Sequence, residues 1–279
     1  GAAALFVYNM DTGAATALRA GSDVSGNGLM VIEAVDLEAN KPSDPGYGKL
    51  DLVYGGDLKG NLWRWDFRSS DAPVARLIFK AVGPTGKTQA ITGGLTVARE
   101  GATGNIFVAF GTGRLISEND LPWVNAQGKE TQSFYGIIDN LNSDGTERIQ
   151  DAGTGASRYA QLTRRTIPYT GKDSKGRDAR SFEVFSPLAN NSRGWYVDLG
   201  VPSPFADGER VVSAPIAAGR ALWIDSIWPS QGDGCEAATG NGYMNALDIF
   251  TGTNPSTVMS GGGGTGTYTF IDVNANGRG

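Results

Sequence analysis

Hydrophobic positions in this chain fall into short runs rather than long stripes. Residues 5–8, 29–35, 50–56, 61–66, 105–111, 133–139, 194–200, 210–216, 221–225 and 242–250 are each rich in β-branched or aromatic side chains. Gly, Asn or Asp bounds most of them, which is the pattern of short strands closed by tight turns. The polar stretches 41–49, 117–131, 143–156 and 170–180 read as loops or insertions. No long amphipathic helix is present, and 151–164 is the best place for a short one.

One unit recurs: a strand run that ends in Asp, usually with a Gly or polar turn behind it. Its copies end at Asp11, Asp66, Asp139, Asp198 and Asp248, at spacings of 55, 73, 59 and 50 residues. Propeller blades repeat every ~40–50 residues, and inserted loops lengthen the period. Alternating residues would pack the faces of each strand between neighbouring blades, and Asp would accept N–H bonds from the turn. The expectation is an all-β fold: a modified β-propeller of four-stranded antiparallel blades, with loop insertions and a few short helices. Residues 1–279 read as a single domain cut from a longer exported protein.

Composition narrows the chemistry. The 41 glycines are about twice the usual share and show no collagen period, so they mark turns. The net charge of −5, with Lys and Arg dispersed, argues against nucleic acid as a partner. There is no histidine, which removes Ser-His-Asp and Cys-His catalysis and His-ligated zinc. The single Cys235 allows no internal disulfide and reads as a bland thiol or one paired outside the chain. No stretch reaches the ~20 apolar residues of a membrane helix.

Several motifs are more specific. Asp51-Leu52-Val53-Tyr54-Gly55-Gly56-Asp57-Leu58-Lys59-Gly60-Asn61-Leu62-Trp63-Arg64-Trp65-Asp66 resembles a signature of the PilY/PilC family of type IV pilus proteins. Phe110-Gly111-Thr112-Gly113-Arg114-Leu115, Ser133-Phe134-Tyr135-Gly136-Ile137-Ile138-Asp139, Gly194-Trp195-Tyr196-Val197-Asp198 and Glu209-Arg210-Val211-Val212-Ser213-Ala214-Pro215 follow in the family's order. Gly240-Asn241-Gly242-Tyr243-Met244-Asn245-Ala246-Leu247-Asp248 closes the series. The resemblance implies an exported protein at the outer membrane surface, pilus tip or periplasm of a Gram-negative bacterium. It implies roles in pilus biogenesis, twitching motility and adhesion. Its partners would be minor pilins or the pilus tip and a host or abiotic surface receptor. It also implies a calcium-regulated loop.

Two segments carry hard oxygen donors suited to calcium. The first is Asp36, Glu38 and Asn40, with Asp44 and Asp51 downstream, in the place of the family's calcium loop. Glu38 stands where Asp or Asn is usual, Lys41 adds a positive charge, and 41–49 looks like an insertion. A solvated acidic loop is the competing reading. The second is Asp272, Asn274 and Asn276 before Gly277, which matches the opening of an EF-hand-like loop. Trp63, Trp65, Tyr135, Trp195 and Tyr196 read as packing between blades, and Asp57 and Arg64 as a bridge within one. Thr112-Gly113-Arg114 reads as a turn, not a phosphate loop. The leading function is binding without catalysis. The alternatives are a propeller enzyme, either quinoprotein-like dehydrogenase or glycosidase, and a scaffold without a ligand.

Overall fold

A sheet covered on one face alternates buried and exposed residues along each strand. The central strands here do not: 52–57, 106–111 and 133–139 are buried at every position. The computed structural model describes residues 2–22, 25–39, 41–139, 153–172, 176, 178–200, 208–229, 240–255 and 270–271. It shows sheets stacked face to face, so that central strands are covered on both sides.

The strands run in chain order as β1 (Ala4–Tyr8), β2 (Ala15–Arg19), β3 (Leu29–Val35), β4 (Leu52–Asp57), β5 (Asn61–Asp66) and β6 (Arg76–Lys80). There follow β7 (Leu95–Arg99), β8 (Ile106–Gly111), β9 (Ser133–Asp139), β10 (Thr163–Arg165), β11 (Tyr169–Lys172) and β12 (Asp178–Ser181). The last are β13 (Gly194–Asp198), β14 (Ile216–Ala218), β15 (Ala221–Pro229), β16 (Gly240–Asp248) and β17 (Phe270–Ile271). Two hairpins, β1-β2 and β11-β12, accompany three larger sheets ordered β3-β4-β5-β6, β10-β13-β9-β8-β7 and β14-β15-β16-β17. The first strand of each large sheet is an edge, and β7 lies against both β3 and β14. The three sheets therefore fan out as blades from one line.

Period-two alternation divides each strand between two cores. Ile106, Val108 and Phe110 of β8 face the first blade, where Leu52, Tyr54, Leu62 and Phe79 meet Tyr135 and Tyr196. Phe107 and Ala109 face the third blade with Phe134, Trp195, Leu222, Ile224 and Leu247. Trp63 and Trp65 turn the other way, onto Leu5 and Leu18 of the first hairpin. All five aromatic residues singled out above are thus core. Gly60 in the β4-β5 turn has φ +79°, and a Cβ there would lie 2.5 Å from the Gln89 carbonyl, so only glycine fits.

The repeated aspartates do more than cap turns. Asp66 and Asp248 do accept the N–H groups of Arg68 and Phe250. Each of four copies also pairs with an arginine: Asp66 with Arg68, Asp139 with Arg64, Asp198 with Arg158 and Asp248 with Arg220. The Arg64 Nη1 to Asp139 Oδ1 bond, 2.6 Å, joins β5 of one blade to β9 of the next, and the Tyr54 hydroxyl donates to Asp139 Oδ2 at 2.7 Å. Burial and the Asp139 charge together push the Tyr54 phenol well above its ordinary pKa. It stays protonated as the donor.

Some expectations need correction. The second blade has five strands, because β10 adds itself parallel to β13. The short helices are 3-10 turns at Glu118–Asp120, Ala126–Lys129 and Gly155–Ser157, and the described part of 151–164 enters β10 instead of a longer helix. The run 210–216 is a strand only at its end. Arg210 makes a lone bridge to Ile227, while the Val211 amide donates to the Thr112 carbonyl of the neighbouring blade. Asp57 does not bridge to Arg64. It accepts instead from Asn27, Asn61, Trp63 and the Lys59 and Asn61 amides.

Replacing Arg64 with Met should strand the buried Asp139 carboxylate. A loss of about 3–5 kcal/mol in urea denaturation is expected, partly recovered when Asp139→Asn is added.

Candidate functional site

The β3-β4 connection leaves the first blade at Val35 and returns at Leu52. It is a chain of tight turns, held by amides of residues 41, 44, 47 and 49 donating to carbonyls three residues earlier. Such turns bring side chains i and i+2 to one side and shorten the span between distant acids. The result is a cluster: Asp36, Glu38 and Asp51 each offer an oxygen within 4.8 Å of the others.

Backbone amides orient two of these carboxylates. Asp36 Oδ1 accepts from the Glu38 amide at 2.8 Å and Oδ2 from the Gly48 amide at 2.7 Å. Asp51 Oδ2 accepts from the Leu37 amide at 2.7 Å. Asp44 binds the Gly46 amide at 2.9 Å and adds its charge beside Glu38. Glu38 has its pKa raised, first by desolvation, then by the charge and hydrogen bond of Asp51 and by Asp44, with Lys41 opposing. Crowded carboxylates repel one another, and a divalent cation would relieve that repulsion.

The donor set fits calcium, since every candidate ligand is a hard oxygen and lone pairs remain on each carboxylate. Three of the five expected ligands, Asp36, Glu38 and Asp51, are brought together, with Asp44 alongside. Asn40 lies outside the described residues, as do Asp272, Asn274, Asn276 and Cys235. A cavity of about 630 Å³ opens next to the loop, lined by Asp36, Leu37, Lys41 and Val97 and by the β7-β8 turn at Arg99, Glu100 and Gly104.

A second cavity lies at the other end of the sheets, against the β4-β5 turn and the β8-β9 connection. It holds Arg114, Asp120, Glu130 and Arg210, none of which stood out as a site in the sequence. Arg114 and Arg210 sit inside two of the ordered motifs, but nothing in those motifs says that their side chains meet. Burial pushes the Asp120 carboxyl up, yet the Ile116 amide, Arg114 and the Ser117 amide outweigh it and hold the pKa below the usual range. A glycosidase acid needs the reverse.

The family model described as PilY1 beta-propeller domain matches residues 1–167. A type IV pilus biogenesis factor PilY1 homolog of Xylella fastidiosa is 32% identical over 250 residues, covering 90% of this chain and 18% of that protein. The type IV pilus biogenesis factor PilY1 of Pseudomonas aeruginosa strain PAO1 is 27% identical, over 91% of this chain and 23% of its own length. The chain thus spans about a fifth of these relatives. The crystal structure of the Pseudomonas aeruginosa PilY1 C-terminal domain superposes with a TM-score of 0.66 at 22% identity, covering 91% of this chain and 54% of that one. The all-β blades described above share the fold of that domain.

The pH dependence of the cluster has a definite sign. A carboxyl whose folded pKa is raised contributes stability below that pKa and loses it as pH rises through it. With chelator present, the melting temperature should fall as pH rises above the ordinary carboxylate range. Glu38→Gln should flatten that fall.

Proposed function

We propose, from the premise that this chain belongs to the PilY1 β-propeller family, that it is the propeller module of a type IV pilus biogenesis factor. It works by binding pilus components at its loops, and a calcium ion orders the β3-β4 connection. The observation that carries the calcium part is the convergence of Asp36, Glu38 and Asp51 within 4.8 Å. Asp36 and Asp51 are already aimed by backbone amides, so the loop would have little to reorganise on binding.

The ion would act as a clasp. It would draw the start of the loop at Asp36 against its end at Asp51, and so set the shape of the cavity that both Asp36 and Lys41 line. The ion would bind Glu38 as the carboxylate, so affinity would rise with pH through the range where that raised carboxyl ionises. The same reading includes export, a place at the pilus tip or outer surface, a part in twitching, and adhesion to a host or abiotic surface. The names of the relatives support a biogenesis factor over an enzyme. No helix among the described residues is long and apolar enough to cross a membrane.

Calcium at ~100 times its Kd should stabilise the chain by about 2.7 kcal/mol in thermal melting. Asp36→Ala should remove the gain. A melting temperature that is the same in excess calcium and in excess chelator would falsify the metal part. The pilus part is tested in cells carrying the parent gene without this stretch. Reduced surface piliation and twitching are expected, and wild-type levels of both would sink it.

A further inference from the structure

The cavity at the end opposite the acidic loop measures about 410 Å³. Its walls are the β4-β5 turn at Leu58, the β6-β7 loop at Lys87 and Thr88, the β8-β9 connection, and Arg210 ahead of β14. Connections from all three blades meet there, and the volume suits a ligand of two or three amino-acid residues.

Hydrogen bonds sort the polar lining into groups already engaged and groups still open. Arg210 is engaged and 3% exposed. Its Nε donates to the Gly208 carbonyl at 2.8 Å, Nη1 to those of Arg114 and Asp120 at 2.8 and 2.5 Å, and Nη2 to that of Gly128 at 2.6 Å. Every acceptor is a carbonyl, so this buried charge has no bonded carboxylate. Asp120 is engaged by Arg114 Nε at 2.5 Å and by the Ile116 and Ser117 amides at 3.0 Å. Glu130 Oε2 accepts from the Thr85 hydroxyl at 2.6 Å.

Two cations keep open donors among the described residues. Arg114 spends only its Nε, and its two terminal NH2 groups have no acceptor, with the side chain 31% exposed. The exposed Lys87 ammonium makes no hydrogen bond or ion pair.

These three cationic side chains, Arg114, Lys87 and Arg210, outnumber the two carboxylates, of which Asp120 is bonded to Arg114 and two amides and Glu130 uses one oxygen. In a chain of net charge −5 this positive site is local and cannot reflect a basic surface. The guanidinium fork of Arg114 matches the planar pair of oxygens of a carboxylate.

We propose that this cavity binds a carboxylate-bearing peptide: the Arg114 Nη groups and Lys87 Nζ hold the carboxylate, and Arg210 supplies positive charge from the floor. The carboxylate comes from an acidic side chain or from a chain terminus, and the test separates these. The proposal does not depend on calcium in the β3-β4 loop.

The whole 279-residue chain is titrated, with backbone amide shifts as the readout, using three peptides: N-acetyl-Gly-Glu-Gly-amide, N-acetyl-Gly-Gly-Gly with a free carboxylate, and N-acetyl-Gly-Gln-Gly-amide. One of the two acids should give saturable shifts around residues 87, 114 and 132, and so name its source, with the Gln peptide roughly tenfold weaker or worse. Lys87→Glu lies on an exposed loop and should weaken the acid about tenfold, while Arg19→Glu on β2 should change nothing. Equal binding of the Gln peptide, no saturation by either acid, or an unchanged affinity in Lys87→Glu overturns the proposal. So does inorganic phosphate binding as tightly as the acid peptide, which would mark a simple anion site.

Discussion

The buried Arg64–Asp139 pair is the contact on which the arrangement of the blades turns. Neither side chain meets solvent to any extent, and the pair spans two sheets. A lone buried charge would cost several kcal/mol, so each holds the other in place. The Tyr54 hydroxyl takes the second carboxylate oxygen, which makes the geometry of Asp139 depend on three strands, β4, β5 and β9. Such a pair need not beat an apolar contact in stability. Its value is that sliding one blade along the next by a residue would leave a charge unpaired, so register between blades is set as firmly as register within them.

The same device recurs where insertions leave the blades. Arg158 follows the 3-10 turn at Gly155–Ser157 and reaches Asp198 at the end of β13, while also donating to the Val82 carbonyl of the loop before β7. Arg180 of the β11-β12 hairpin enters the third blade and bonds Glu209, Ser226 and Asn245, all buried. These arginines fasten inserted segments to the sheets. The connections at both ends thereby hang on a rigid base, which is what a binding surface made of loops requires. The two ends differ in charge: carboxylates crowd the β3-β4 connection, and open cations line the opposite cavity. Overall net charge conceals this division.

Particular residues show how far the sequence could be read. Asp36 and Glu38 were legible as a pair because i and i+2 in a tight loop share a side. Asp51 was legible because it begins the strand that the loop must rejoin. The cationic cavity was not legible. Arg114 sits in a Gly-rich turn and Arg210 in a run with strand composition, 96 residues apart, and either could have paired with any acid. Local composition assigns Arg210 to a strand because 210–216 is rich in apolar residues. The strand fails there because the Val211 amide is taken by Thr112 of the neighbouring blade, a partner no local pattern reveals.

By itself the sequence determined the strands, through alternation and turn residues, and the aspartates that end them, but not the blades: Asp139 and Asp198 close two strands of one sheet, so the spacing of the aspartates does not count sheets. It also determined the acidic loop, because those signals are local and each residue carries its own share. Only the tertiary structure decided what the aspartates bind, which arginines are consumed by carbonyls, and which cations stay open. Those outcomes depend on distances between blades, where a side chain's role follows from the company that burial forces on it. A local code has no term for that.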